Sequence, residues 1–340
     1  MHGIKRSRLS SQAEVIRREK EAGKIAVYGS LQAEILTLKK NKIYTPDALK
    51  KTTELLDLNP EFYTIWNYRR HILLHLFNSA NPEEIVSLLT TDLRLTMSYL
   101  QVHPKVYWIW NHRKWCLENV PVGPEDTERW RNEFWAMELA VIEKMLDADA
   151  RNFHAWDYRR YVLSSLPESF KPPRTALDEL RYTKKKIESN FSNFSAWHLR
   201  TKILGGMWEG MEGHVVEKQK DAVALDDDLA DIDEFELVRQ ALWTDPGDQS
   251  GWLYHRWLIG DHPEESRLRE EINSIRELNE TEPDSRWCMN ALAQYDILLS
   301  SSTRGEERNE LRQEARGLLR RLGKVDVFRK QRYRDIAKNI

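Results

Sequence analysis

Residues 103–114 read HPKVYWIWNHRK, and the same twelve-residue frame returns four more times. Residues 59–70 read NPEFYTIWNYRR, 149–160 DARNFHAWDYRR, 190–201 NFSNFSAWHLRT and 245–256 DPGDQSGWLYHR. Their tryptophans, Trp66, Trp110, Trp156, Trp197 and Trp252, stand 44, 46, 41 and 55 residues apart. An aromatic ring lies three residues before the Trp (Tyr63, Tyr107, Phe153, Phe194). An arginine lies three after it (Arg69, Arg113, Arg159, Arg200), or four after in the last copy, Arg256. EPDSRWCMNAL, around Trp287, reads as a sixth, degraded copy. Self-similarity at this period is the mark of a stacked array in which each unit packs on its neighbours.

Each unit reads as two helices. In the first unit, Thr45 suits an N-cap and Pro46 the first helical position. Ala48, Leu49, Thr52, Leu55 and Leu56 then recur at helical spacing. The residue before a proline is pushed out of the helical region, so Asn59-Pro60 ends that helix. A second helix carries Tyr63, Trp66, Ile72, Leu73 and Leu76 on its apolar side. No segment alternates with the period of a half-buried strand. The expectation is an all-α chain, an α-solenoid of helical hairpins forming one domain over 1–340. A helix over 12–42 precedes repeats spanning about 44–300, and a charged helix over 304–322 caps the open end. Residues 205–234 explain the long last spacing. Their acidic run, Asp226 to Asp228 and Asp231 to Glu234, reads as a solvated surface insertion because like charges repel.

Composition narrows the function. The 340 residues carry 52 Lys and Arg against 54 Asp and Glu, which speaks against a general nucleic-acid binder. Cys116 and Cys288 make neither a disulfide framework nor a zinc cluster, as suits a reducing compartment. MHGIKRSRLSS lacks a signal-peptide core, no apolar run reaches a membrane span, and the cytosol is the expected location. Motifs of hydrolases, zinc proteases and phosphate-binding loops are missing. The informative positions are those where the copies differ. Five before the Trp stand Glu61, Lys105, Arg151, Ser192 and Gly247. This register places them in the first turn of the second helix, where free N–H groups and a cation together suit phosphate. Two before the Trp stand Thr64, Trp108, His154, Ser195 and Ser250. Lys105, Tyr107, Arg151 and His154 therefore share one side of adjacent repeats, a basic and aromatic ligand surface.

The repeat, with KVYWIW at 105–110 and RNFHAWDYRR at 151–160, resembles the α subunits of protein prenyltransferases over about Tyr44 to Leu299. It is most similar to the Rab geranylgeranyltransferase (type II) branch, in its compact fungal form. Phe153 and Asp157-Tyr158 stand where the other branch usually has Tyr and Gln-His, and Met1-His2-Gly3 and 244–257 also match. The resemblance implies a crescent of hairpins wrapped around a catalytic β subunit that holds zinc and most of the lipid pocket. The implied reaction moves geranylgeranyl from geranylgeranyl diphosphate to C-terminal cysteines of Rab GTPases presented by a Rab escort protein. It implies that Lys105 reaches the lipid diphosphate across the interface and that Tyr107 lines that site. It also implies that Asn152, Phe153 and His154 border the substrate groove, and that His2 can occupy the open position of the partner's zinc. The competing expectation is a non-enzymatic helical-repeat scaffold. The tetratricopeptide period of 34 is too short for it, and an RNA-processing repeat would want a basic groove.

Overall fold

The computed structural model describes residues 11–123, 128–211 and 233–340, with Gly213, Val216 and Lys220 between the last two stretches. Among the described residues there are fifteen α-helices and no strand, so the all-α expectation holds. Contacts divide the chain into two compact units, Met1–Pro173 and Arg174–Ile340. The first holds α1 (Ser11–Lys40), α2 (Pro46–Leu58), α3 (Tyr63–Phe77), α4 (Pro82–Val102), α5 (Tyr107–Glu118), α6 (Arg129–Ala148) and α7 (Phe153–Ser164). The second holds α8 (Ala176–Ser189), α9 (Phe194–Trp208), α10 (Glu234–Thr244), α11 (Gln249–Ile259), α12 (Glu265–Thr281), α13 (Arg286–Ser302), α14 (Gly305–Val325) and α15 (Lys330–Lys338). Consecutive helices from α2 onward pair as hairpins. Side-chain caps start the first helices, at Thr45 as the sequence expects and also at Asn81 and Thr175. Thr45 accepts from the Ala48 N–H at 3.2 Å, and Asn81 and Thr175 each form a full capping box.

The repeated tryptophan pins the hairpin turn. Its indole N–H donates to the carbonyl six residues earlier in each of the first five copies. The pairs are Trp66 to Pro60 (2.8 Å), Trp110 to Pro104 (3.0 Å), Trp156 to Ala150 (2.9 Å), Trp197 to Phe191 (2.7 Å) and Trp252 to Pro246 (2.9 Å). The ring then packs on the residue two past the next Trp. Trp66 lies 4.7 Å from the His112 ring, Trp110 5.0 Å from Tyr158, and Trp197 4.5 Å from Tyr254. One side chain thus closes its own turn and fills the gap to the next hairpin.

The repeated arginine is the second fastening. Arg113 grips Glu138 of α6 with two bonds of 2.7 Å, and also donates to Thr96 Oγ1 (2.9 Å) and the Leu93 carbonyl (2.8 Å) of α4. Arg69 does the same with Asp92, Thr52 and the Leu49 carbonyl, and Arg200 with Glu234, Thr183 and the Leu180 carbonyl. In each case the Thr is 17 and the carbonyl 20 residues upstream. The guanidinium therefore ties its own helix to its hairpin partner and to the first helix of the next hairpin. Arg159 is buried and engaged too.

Four readings change. In the fifth copy the fastening residue is His255, not Arg256: His255 is buried and pairs with Glu271 at 2.9 Å and with the Tyr295 hydroxyl at 2.7 Å, while Arg256 is exposed. Helical register explains this, because three residues on, not four, returns to the buried stripe here. In the sixth copy, counting from the helix end at Glu282, Met289 and not Trp287 fills the tryptophan's place, fully buried. The predicted capping helix is α14, which ends three residues later than expected and is followed by α15, so the pair is a seventh hairpin. Its short helix, with Tyr333 buried where the Trp belongs, has too weak a signature to read from sequence. The acidic insertion is shorter than 205–234. Helix α9 runs on to Trp208, and Glu234 opens α10 fully buried against Arg200. Lys220 is buried as well, whereas Asp226 to Asp228 lie outside the described residues.

Candidate functional site

The site grows from the turns that precede the second helices. Helices α5 and α7 begin at Tyr107 and Phe153. Lys105 and Arg151 therefore sit in the turns two residues ahead of them, not in the first helical turn. In four copies the turn opens on Asn or Asp, whose Oδ1 accepts the N–H two residues on. The recipients of this bond are Glu61 (3.1 Å), Arg151 (3.1 Å), Ser192 (3.0 Å) and Gly247 (2.9 Å). His103 stands there in the second copy and offers no such oxygen. Val106 cannot cap α5 with its side chain either, whereas Asn152, Asn193 and Asp248 cap their helices. Among these five turns, the one bearing Lys105 alone lacks both side-chain acceptors, which leaves the start of α5 without a side-chain cap beside an ammonium.

Lys105 Nζ lies 3.4 Å from Asp149 Oδ2 in the next repeat's turn, the lysine largely exposed and the aspartate half-buried. A surface pair of this kind is worth ~0–1 kcal/mol, so the ammonium is loosely held and can turn to another anion. The Tyr107 ring is 58% exposed and meets the His154 ring edge-on at 4.3 Å. Phe153, also exposed, lies 6.3 Å from Tyr107 and 4.0 Å from His154. Burial holds the His154 imidazole below its ordinary pKa, with Asp157 pulling it up and Lys105 down, so the ring is neutral and serves as an aromatic wall. Asn152 is fully buried. Its Oδ1 accepts from the N–H groups of His154 (3.1 Å) and Ala155 (3.4 Å), and its Nδ2 donates to the Pro104 carbonyl at 3.3 Å. Asn152 therefore fixes the turn of Lys105 against the start of α7 and presents no polar atom to a ligand. The five predicted residues thus form one cluster within the first unit. His2 lies outside the described residues.

Asp92, His112 and Cys116 form the one group of metal-ligand type found among the described residues, all buried. They do not fit a catalytic metal. Arg69 holds both Asp92 oxygens, at 2.8 and 2.6 Å. Arg70 donates to His112 Nδ1 at 3.3 Å, so the imidazole proton is on Nε2, 2.7 Å from Asp92. Burial keeps His112 neutral, its pKa down to about 4 against the pull of Asp92. Burial pushes the Asp92 carboxyl up, but the His112 and Arg69 bonds outweigh it and hold it at about 2.

The acidic partners of the arginines, Asp92, Glu138 and Glu234, escape a reading centred on the Trp motif. The Thr that recurs 17 residues before Arg69, Arg113 and Arg200 is the signal that could have led there.

Exposed aromatics beside a loosely held cation are the kind of surface that meets a partner. The protein prenyltransferase α subunit repeat matches at 45–76, 89–120, 135–166, 176–207 and 231–261, the first five hairpins. Geranylgeranyl transferase type-2 subunit alpha of Schizosaccharomyces pombe is 39% identical, with all of this chain and 98% of that protein aligned. The protein of that name in Candida albicans is 36% identical across 98% of this chain and 96% of its own length. In Rattus norvegicus it is 36% identical over 76% of this chain but only 42% of the longer relative. Candida albicans protein geranylgeranyltransferase-I complexed with GGPP shares the fold, with TM-score 0.63 over 92% of this chain and 90% of that one at 21% identity. By its repeats the chain is a protein prenyltransferase α subunit. It belongs to the geranylgeranyl transferase type-2 α-subunit family.

Proposed function

We propose that the chain is the α half of a two-chain Rab geranylgeranyltransferase and that it supplies the diphosphate side of the site. The observation that carries this is the turn of Lys105. It combines a loosely tethered ammonium, a helix start without a side-chain cap and the exposed Tyr107 ring, in a chain that matches type-2 α subunits end to end. In this reading Lys105 and the N–H groups ahead of α5 meet the leaving diphosphate of geranylgeranyl diphosphate. Tyr107, Phe153 and His154 wall the prenyl and peptide side, and Asn152 is a positioning residue. The β subunit binds zinc, which activates the acceptor thiolate. A Rab escort protein presents the Rab GTPase whose C-terminal cysteines are prenylated, and the complex works in the cytosol. No described helix is long and apolar enough to cross a membrane.

The exposed rings Tyr63, Tyr107, Trp108 and Phe153 suit an obligate interface, which commonly buries more than about 2,000 Å². Co-expression with a type-2 β subunit is expected to give a 1:1 complex with one tightly bound zinc. Zinc remaining with the isolated α chain, or failure of the two chains to associate, would refute the reading.

A further inference from the structure

The last hairpin carries a charge pattern separate from the cluster around Lys105. Residues 316–340 hold nine Lys and Arg against two Asp, in a chain that is otherwise acidic on balance. Six of the nine form two ladders. Arg316, Arg320 and Lys324 stand at i, i+4 and i+8 on α14, and Lys330, Arg334 and Lys338 repeat that spacing on α15. All six line a single groove of about 850 Å³ between the two helices, with Leu319 and Tyr333 as its floor. No acidic residue lines it. The two aspartates are engaged elsewhere. Asp326 is buried against the Tyr333 hydroxyl (2.8 Å) and Arg329 (3.3 Å), and Asp335 accepts from Gln331 at 2.8 Å. Arg316 also donates to the terminal main-chain oxygen of Ile340, but among the described residues Lys324, Lys330, Arg334 and Lys338 have no carboxylate partner. The opposite face of α14 is different: Glu307 and Glu314 pair with Arg269 (2.6 Å) and Arg276 (2.8 Å).

Like charges at i, i+4 destabilise a helix, and here two such rows also face each other. An empty groove of this kind is electrostatically unfavourable, and an anion reverses the sign. The ladders run about 12 Å, eight residues at the helical rise. We infer that the groove between α14 and α15 binds a multiply phosphorylated anion, either free or as a lipid headgroup. Charge density favours phosphate over an acidic peptide. Each phosphomonoester brings about two negative charges in a small volume, and the three arginines can clamp phosphate oxygens in pairs. The volume is that of a small-molecule site.

The test uses the full chain purified with its β partner. Calorimetric titration with sodium tripolyphosphate should show binding, and the anion should raise the melting temperature. Arg320→Gln/Arg334→Gln should weaken binding at least tenfold, while Arg17→Gln in α1 should bind as wild type. Without ligand, the double variant should melt no lower than wild type, since neutralisation removes repulsion. Sedimentation with phosphatidylcholine vesicles, with and without phosphatidylinositol 4,5-bisphosphate, separates the sources. Capture by the phosphorylated vesicles assigns a lipid headgroup, and tripolyphosphate binding without capture assigns a soluble anion. The inference fails if neither probe binds, if the double variant binds as tightly as wild type, or if it melts well below wild type. It also fails if hexaglutamate binds as tightly as tripolyphosphate.

Discussion

Arg113→Ala lowers the thermal midpoint by about 10 °C or prevents folding. The guanidinium is buried and holds Glu138 through two bonds, and its pKa is raised because Glu138 outweighs the burial that opposes its charge. Removing it leaves Glu138 as a buried carboxylate without its cation, and leaves the Leu93 carbonyl without its donor. Breaking one side of such a pair costs about 3–5 kcal/mol. In a unit of this size each kcal/mol shifts the midpoint by roughly 2–4 °C. The effect comes from the orphaned charge more than from lost attraction, so Arg113→Met with Glu138→Leu should recover most of the loss. Arg160→Ala, at an exposed pair with Asp157, should change little. Calorimetry of wild type, Arg113→Met, Glu138→Leu and the double variant decides it. If the double variant loses the sum of the two single losses, the pair does not act as one unit.

Lys105→Ala slows single-turnover prenyl transfer about 10²-fold while heterodimer assembly and lipid affinity change little. The leaving diphosphate gains negative charge as the carbon–oxygen bond breaks, so a cation at that point stabilises the transition state more than the bound lipid. Loss of one preorganised contact of this type costs about 3 kcal/mol. The ammonium is exposed and bound only to Asp149, so its removal leaves the fold intact. Lys105→Arg should recover part of the rate, limited by the bulk and planarity of the guanidinium. Glu61→Ala, at the same register one repeat earlier, is the neutral comparison. Rapid-quench measurement on the reconstituted enzyme checks this, and equal rates for wild type and Lys105→Ala would assign all diphosphate stabilisation to the β chain.

The hairpin array was legible because one large side chain is reused at one place, and Trp66, Trp110, Trp156, Trp197 and Trp252 all make the same indole-to-carbonyl bond. Register was legible only while the repeat kept its spacing. Arg256 and Trp287 look like copies of the motif, but the helical period buries His255 and Met289 instead. Glu234 sits at the end of an acidic run, and charge alone made it look solvated. Only the fold shows that Arg200 needs a buried carboxylate there. The grouping of Lys105, Tyr107 and His154 was legible from differences between copies, whereas Phe153 came only with the family resemblance. The position of Lys105 ahead of the helix was not legible, because the helix start is set by backbone geometry at Val106, a residue without capping chemistry.

This chain is expected to complete an active site that it does not contain alone. The direct measurement is transfer of labelled geranylgeranyl from its diphosphate to a Rab–escort complex, by the α chain, the β chain and the two together. Transfer is predicted only for the mixture, at a rate that saturates at one α chain per β chain. Transfer by the β chain alone at the rate of the mixture, or by this chain alone, would contradict it.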